Sequence, residues 1–431
     1  MKPISILDCE VGKKDFVLFV LFALLTFYIP FNDYGCTRNQ LIGVVLIVIA
    51  YFSSMKVNAM QIAYFSSYIA ATVYSLFGFP LHIITLLEGL FFYRIIRSLG
   101  FESSEIKFVV GLVIYEAIAI VAFGMGFGDL VKLLFNVFLF LFFVKILKYH
   151  GSYINLVYFA YAMGVFTSCI AGRYYIPPAS NDVFDDSIYW LRYCGLWTDP
   201  NFFGCFCLTA ILSLYKLDFK NIYLNILKYV LCVIIYSYGM MSLSRTYLLV
   251  SALMLIVYIY RTFKSRRVSV FTVICVIIGG TYALLRYMDN LDNNRVVNSS
   301  GMTGGRVDLT LGLLKGWVSD VSFYTGAGFN NWKYLTSLTT NSHVSHNSYA
   351  DFMLQFGLYG VLTIIVAYYS HTQMAKSMLK ALTEIYGLPM LCTLICIFTL
   401  SATKYEFIYF ITALFYIEYK KHNNIVIKSK D

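Results

Sequence analysis

Lys107-Phe-Val-Val-Gly-Leu-Val-Ile-Tyr-Glu-Ala-Ile-Ala-Ile-Val-Ala-Phe-Gly-Met-Gly126 decides the fold class. Apart from Lys107 at its edge and Glu116 the run is apolar, and it reaches the roughly 17–25 residues a helix needs to cross a bilayer. It is one of many. Of the 431 residues, 59% are hydrophobic and 13% charged, with a mean hydropathy of +0.70. A soluble domain could not hide that much apolar surface, so lipid is expected to be the solvent for most of the chain. Spanning runs lie near 16–32, 39–55, 58–77, 80–97, 107–126, 129–147, 152–171, 202–216, 223–241, 245–261, 268–286, 349–369, 385–401 and 405–419. The expectation is an all-α integral membrane protein with about 14 transmembrane helices.

Basic residues orient these spans. With the N-terminus cytoplasmic, 22 of the 33 Lys and Arg residues fall in inner segments. Arg261-Thr-Phe-Lys-Ser-Arg-Arg267 is the strongest inside marker, and both termini are expected to be cytoplasmic. The net charge of +10 therefore reads as topology and not as affinity for nucleic acid. The first apolar run follows Lys13-Lys14, lacks a small-residue cleavage site and continues into Pro30-Phe-Asn-Asp33, which reads as a retained anchor. Ten cysteines are scattered with no zinc-like spacing, so no metal site is expected; Cys36 and Cys194 both fall outside and could pair, but the favoured reading is two free small hydrophobes. No repeat or linker divides the chain, and residues 1–431 read as one membrane domain.

Two outer loops stand out by length, 172–201 and 287–348, and long loops tend to be functional. The second carries an amphipathic segment near 306–319, with Val307, Leu311, Leu314 and Val318 on one face. With Trp317 it is expected to lie at the membrane interface. A glycine-rich turn follows, Thr325-Gly-Ala-Gly-Phe-Asn-Asn331.

The outer face also gathers the residues that could carry chemistry. Arg245, in Met241-Ser-Leu-Ser-Arg-Thr-Tyr247, stands at the outer boundary between two spans. A guanidinium stays charged and grips phosphate oxygens two at a time, so a pyrophosphate clamp is one reading; a side chain snorkelling to headgroups is the other. Arg306 follows two glycines and opens the amphipathic helix, where free N–H groups favour an anion; a solvated loop arginine is the alternative. Arg173 and Arg192 are further candidates of this kind. His346, followed by Asn347-Ser-Tyr349, stands where the long loop re-enters the membrane and can take a proton from a hydroxyl near neutral pH. His343 is the alternative base, and backbone bonding at a helix mouth is the plainer role for either. Of six histidines only these two and His82 fall outside.

Asp199-Pro-Asn201 reads first as a helix cap with a first-turn proline, which leaves substrate contact open. Glu88 and Glu116 lie near mid-span, where a proton relay competes with hydrogen-bonded locking of helices; we adopt the second reading.

Taken together, Arg192-x-x-Gly-Leu-Trp-x-Asp-Pro-Asn201, Ser244-Arg-Thr246, Gly305-Arg306, Gly326-x-Gly328 and His346-Asn-Ser-Tyr with Phe356-Gly-Leu-x-Gly360 resemble the O-antigen polymerase and ligase family of bacterial membrane glycosyltransferases. The resemblance covers Arg192 to Gly360. Where the family places a proline and an apolar residue before the Gly-x-Gly turn, this chain has Phe323-Tyr324-Thr325. The resemblance implies a GT-C-type multi-span helical bundle working without metal, cofactor or nucleotide sugar at the periplasmic face of the inner membrane. It implies that Arg245 and Arg306, helped by Arg192, bind the pyrophosphate of an undecaprenyl-diphosphate-linked oligosaccharide donor. His346 would then activate the acceptor hydroxyl, with Arg173, Asp199, Asn347, Tyr349 and His343 as further substrate contacts. The acceptor is another lipid-linked repeat unit in a polymerase and lipid A-core in a ligase; the full Arg192-to-Asn201 block and the low charge look more like a polymerase. Membrane lipids, and a separate chain-length regulator of which these residues carry no sign, are the other expected partners. A flippase for the same lipid-linked unit is the reading from a different class, and it calls for inverted repeats, interrupted helices and midplane charges.

Overall fold

The structure, a computed structural model, describes residues 100–174, 192–197, 199–219, 221–265, 306–338, 347–372, 378–403 and 405–423, with short pieces before residue 100. The expected spans near 16–32, 39–55, 58–77, 80–97 and 268–286 lie largely or wholly outside the described residues, as do Glu88, His82, His343 and His346. The protein is mostly helical. Among the described residues, four helices are long and apolar enough to cross a membrane: Ser103–Phe123, Phe127–Tyr149, Gly151–Ala171 and Ile222–Met241. Each coincides with an expected span, and together they point to membrane association. The chain divides into two compact units, Met1–Arg94 with Ile146–Val297, and Ile95–Lys145 with Asn298–Asp431.

In the first unit the Pro200–Lys216 helix is central, burying Phe203, Phe206, Cys207, Ala210 and Leu214 completely. The Ile154–Ala171, Ile222–Met241 and Arg245–Ser265 helices pack on it. Ile222–Met241 turns Ile226, Tyr229, Val230 and Val233 outward, as a lipid-facing surface would. Cys194 is buried at 1% exposure, as a small apolar side chain would be.

In the second unit Ser103–Phe123 and Phe127–Tyr149 form an antiparallel hairpin through Gly124-Met125-Gly126. Its open end is closed by Lys145 Nζ against Glu105 Oε2 at 2.6 Å, and Glu105 also accepts the Glu102 N–H at 2.8 Å in the first turn. Lys132 pairs with Glu406 of the Glu406–His422 helix. Phe108, Ile114, Ile118 and Val121 face outward, whereas Ala119, Met125, Leu130, Leu133 and Val137 close on Phe329 and Phe356.

Two expected spans are not single helices. Residues 385–401 are divided into Ile385–Gly387, Leu388–Cys396 and Ile397–Thr399, the outer two pieces being 3₁₀ turns. The Ser348–Thr372 helix breaks at Gly357, whose φ of 63° and ψ of −179° lie in a region open essentially to glycine alone. A side chain is excluded there on a second count, because a Cβ would stand 2.2 Å from the Gly326 nitrogen.

Candidate functional site

The first unit holds four of the sequence-derived site residues. Arg173–Tyr174 pairs antiparallel with Tyr193–Gly195, fixing both ends of the 172–201 loop. The Tyr193 hydroxyl donates to the Cys169 carbonyl at 2.5 Å. Asp199 is the cap that the sequence indicates: its Oδ1 accepts the Asn201 N–H at 2.7 Å, and Pro200 opens the helix where no N–H is needed.

Arg192 is buried, at 8% exposure, and braces this end of the unit. Its Nε donates to the Ser242 carbonyl and its Nη2 to Asn201 Oδ1, each at 3.0 Å. Two of its donors therefore hold protein, joining the first turn of Pro200–Lys216 to the turn after Ile222–Met241. That turn is tight. Leu243 takes a positive φ of 47°, and the Ser242 hydroxyl accepts the Ser244 N–H at 3.3 Å. Ser244 then accepts the Tyr247 N–H at 3.4 Å. Arg245 emerges exposed as the first residue of the Arg245–Ser265 helix. The sequence groups Arg192 with the candidate phosphate ligands, whereas its partners in the fold are Ser242 and the side chain of Asn201. Asn201 was legible in the quoted block; Ser242 acts through its backbone carbonyl, which leaves no side-chain pattern to read.

The second unit holds Arg306, Asn347 and Tyr349. Arg306 is the first residue of the Arg306–Val318 helix. That helix is two-sided in a way the sequence only half shows. Leu311 and Val318 are exposed, as an interfacial face requires, but Trp317 is not at the interface: it is 2% exposed in a core with Leu313, Ala327, Leu335 and Leu354. A buried indole finds a partner for its N–H, and here Nε1 donates to the Ser322 carbonyl at 3.0 Å. Asp320 knits the segment that follows, accepting the Ser322 N–H at 2.8 Å and the Tyr334 hydroxyl at 2.9 Å. Partial burial would raise the Asp320 carboxyl, but hydrogen bonds from Ser322 and Tyr334 outweigh it and hold it below the ordinary aspartate range. Burial and the same carboxylate push Tyr334 up to about 12.

The glycine-rich turn is where this unit is tied together. Gly326 and Gly328 take φ of 78° and 91°, and Asn330 follows at 55°. The turn lies in the break at Gly357. Ala327 N–H donates to the Leu354 carbonyl at 3.2 Å and Gly328 N–H to the Gln355 carbonyl at 3.0 Å. The Tyr115 hydroxyl sits between the Thr325 and Phe356 carbonyls, 3.0 Å from the latter. A Cβ on Gly326 would be 2.3 Å from the Gln355 oxygen, and one on Gly328 2.7 Å from Ala119 Cβ. Glu116 Oε2 accepts the Phe329 N–H at 3.0 Å, so this carboxyl locks a helix to a turn. Asn331 Nδ2 reaches both the Phe123 carbonyl at 3.0 Å and the Ala327 carbonyl at 2.8 Å.

Asn347 caps Ser348–Thr372, its Oδ1 accepting from Tyr349 N at 2.9 Å and Ala350 N at 3.2 Å. Tyr349 donates its hydroxyl to the Leu394 carbonyl at 2.8 Å. Ser348 bonds the Leu400 carbonyl and accepts from Ala402 N at 2.8 Å. No sequence pattern links Tyr115 to Gly357, although Gln355-Phe-Gly357 inside an apolar run is the signal that marks the break. No cluster of His, Cys, Asp and Glu suited to a metal occurs among the described residues.

No known protein family, no characterised protein and no solved structure matches the chain.

Proposed function

We propose that the chain is a membrane glycosyltransferase of the O-antigen polymerase kind, with a GT-C-type bundle of about 14 spans, both termini cytoplasmic and its site on the periplasmic face of the bacterial inner membrane. It transfers an undecaprenyl-diphosphate-linked glycan onto the sugar of another lipid-linked repeat unit. The observation that carries this reading is that Arg245 and Arg306 are each the first residue of a helix. A cation in the first turn opposes the helix dipole, at about 0.3–1 kcal/mol. An anion bound there reverses the sign, since arginine and the positive end of the helix dipole then act on the same charge. A leaving diphosphate is the anion that fits a lipid-linked donor.

In this mechanism Arg245 and Arg306 hold the pyrophosphate and stabilise the charge that grows on it as the glycosidic bond breaks. Arg192, with its Nε and Nη2 on protein, serves mainly to set the turn that presents Arg245. His346 takes the proton of the attacking hydroxyl, and His343 is the nearest alternative base in sequence. Because diphosphate already leaves well, positioning and charge stabilisation supply most of the rate.

The test is extension of a synthetic lipid-diphosphate repeat unit by purified protein, with Ala variants at Arg245, Arg306 and His346. Longer glycans from the wild type and strongly reduced elongation by the variants are expected; wild type that never lengthens the unit sinks the reading. Glycans from a deletion strain separate the branches: single units on lipid A-core indicate a polymerase, and unattached long chains a ligase.

A specific feature favours a second reading, a flippase for the same unit. The Ser348–Thr372 helix is broken, and Glu116 is fully buried beside the break. Transporters place substrate at such sites. Movement of the unit across liposomes without elongation would select it.

A further inference from the structure

Breaking a helix strands backbone carbonyls, and a buried one left unpaired is costly. Just before the break at Gly357, the carbonyls of Leu354, Gln355 and Phe356 each accept a hydrogen bond from elsewhere in the unit. Two partners are main-chain N–H groups of the Gly326–Gly328 turn. The third is a side chain, the Tyr115 hydroxyl from the Ser103–Phe123 helix, 241 residues away in sequence. The one proton of this hydroxyl is shared with the Thr325 carbonyl, so it bridges the turn and the half-helix as a bifurcated donor. The Tyr115 and Phe356 rings stack at 6.2 Å.

We infer that Tyr115 is a positioning residue: with the Ala327 and Gly328 N–H groups it sets the angle of the half-helix from Ser348 to Phe356, and thereby the place of the helix mouth at Asn347, next in sequence to His346. The half-helix is held at two ends. Ser348 and Tyr349 tie the mouth to the backbone of residues 394–402, and the Tyr115 latch ties the break. Between Ser348 and Phe356 the rise is about 12 Å at 1.5 Å per residue. A tilt of about 5° at the break moves the mouth by about 1 Å, and that displacement is on the order of what costs a hundredfold in a catalytic rate. The consequence for turnover rests on the polymerase reading; the mechanical part does not.

Tyr115→Phe removes one hydroxyl and keeps the ring. In nanodiscs, hydrogen exchange at the amides of Ala327, Gly328 and residues 350–356 is expected to quicken about tenfold, because the local opening is easier. In the elongation assay kcat falls by on the order of ten- to a hundredfold while KM for the lipid-diphosphate stays within about twofold. Tyr359→Phe, on the exposed flank of the same helix, leaves both readouts at wild-type values. Unchanged exchange in Tyr115→Phe overturns the latch. Faster exchange with undiminished kcat overturns the positioning role. If wild type transfers no sugar, the polymerase reading fails, and exchange alone decides whether Tyr115 holds the half-helix.

Discussion

Glu116 Oε2 accepts the backbone N–H of Phe329 at 3.0 Å across 213 residues of sequence. Both groups are buried, and Phe329 contributes to the core that Ala119, Leu133 and Phe356 share. The contact needs an acceptor, not a charge. Glu116→Gln should therefore keep near-wild-type stability, because its amide oxygen can take the same N–H. Glu116→Leu strands that N–H and should cost roughly 1–3 kcal/mol. Thermal unfolding in detergent decides between them; a leucine variant as stable as wild type would refute the lock.

Gly357→Ala should fail more severely. Its Cβ meets the Gly326 nitrogen at 2.2 Å and the residue must hold a φ of 63°. Backbone strain alone costs about 1–3 kcal/mol, and moving the turn costs more. Gly360→Ala, whose Cβ meets only side-chain atoms, the nearest being Phe356 Cβ at 3.0 Å and the Tyr115 hydroxyl at 3.5 Å, should be milder. Equal folded yields for the two variants would contradict this.

Arg192 tests whether a brace needs its fork. Arg192→Lys keeps the charge but cannot reach Ser242 and Asn201 at once, and each hydrogen bond lost from a charged group costs about 1.5–3 kcal/mol. Lysine should therefore behave nearly as badly as alanine in thermal stability. A lysine variant with wild-type stability would show that charge alone suffices.

Arg245 and Arg306 should separate charge from geometry in the elongation assay. Alanine at either position is expected to lower kcat by on the order of 10²–10³. Lysine should recover part of that loss, because it supplies a point charge without bidentate geometry. Alanine variants with undiminished turnover would remove both residues from the mechanism.

Asp320 has a folded pKa below its unfolded value, so its contribution to stability is present above about 4 and is lost as pH falls through the lowered folded pKa. The melting temperature of Asp320→Asn should sit below wild type at pH 7, and the gap should close only under more acid conditions than pH 4. A gap that already closes by pH 6 would show that another group carries the effect.

What the sequence determined by itself was local. Apolar runs of sufficient length marked the four long helices, because one hydrophobic stretch needs no partner to declare its solvent. Asp199-Pro200 declared a cap for the same reason: donor and acceptor lie two residues apart. Arg245 and Arg306 could be placed at the edges of apolar segments, and both open helices.

Tertiary structure alone decided what joins distant residues. Only the fold shows that Gly326-x-Gly328 fills the break at Gly357, or that a tyrosine 241 residues earlier reaches the last carbonyl before it. Trp317 looked interfacial because amphipathicity cannot distinguish a face turned to lipid from one turned to a small core. Arg192 looked like a ligand because a guanidinium has the same fork whether it holds phosphate or a carbonyl and an amide. Backbone groups are identical in every residue, so the bonds they form leave no trace in composition or spacing.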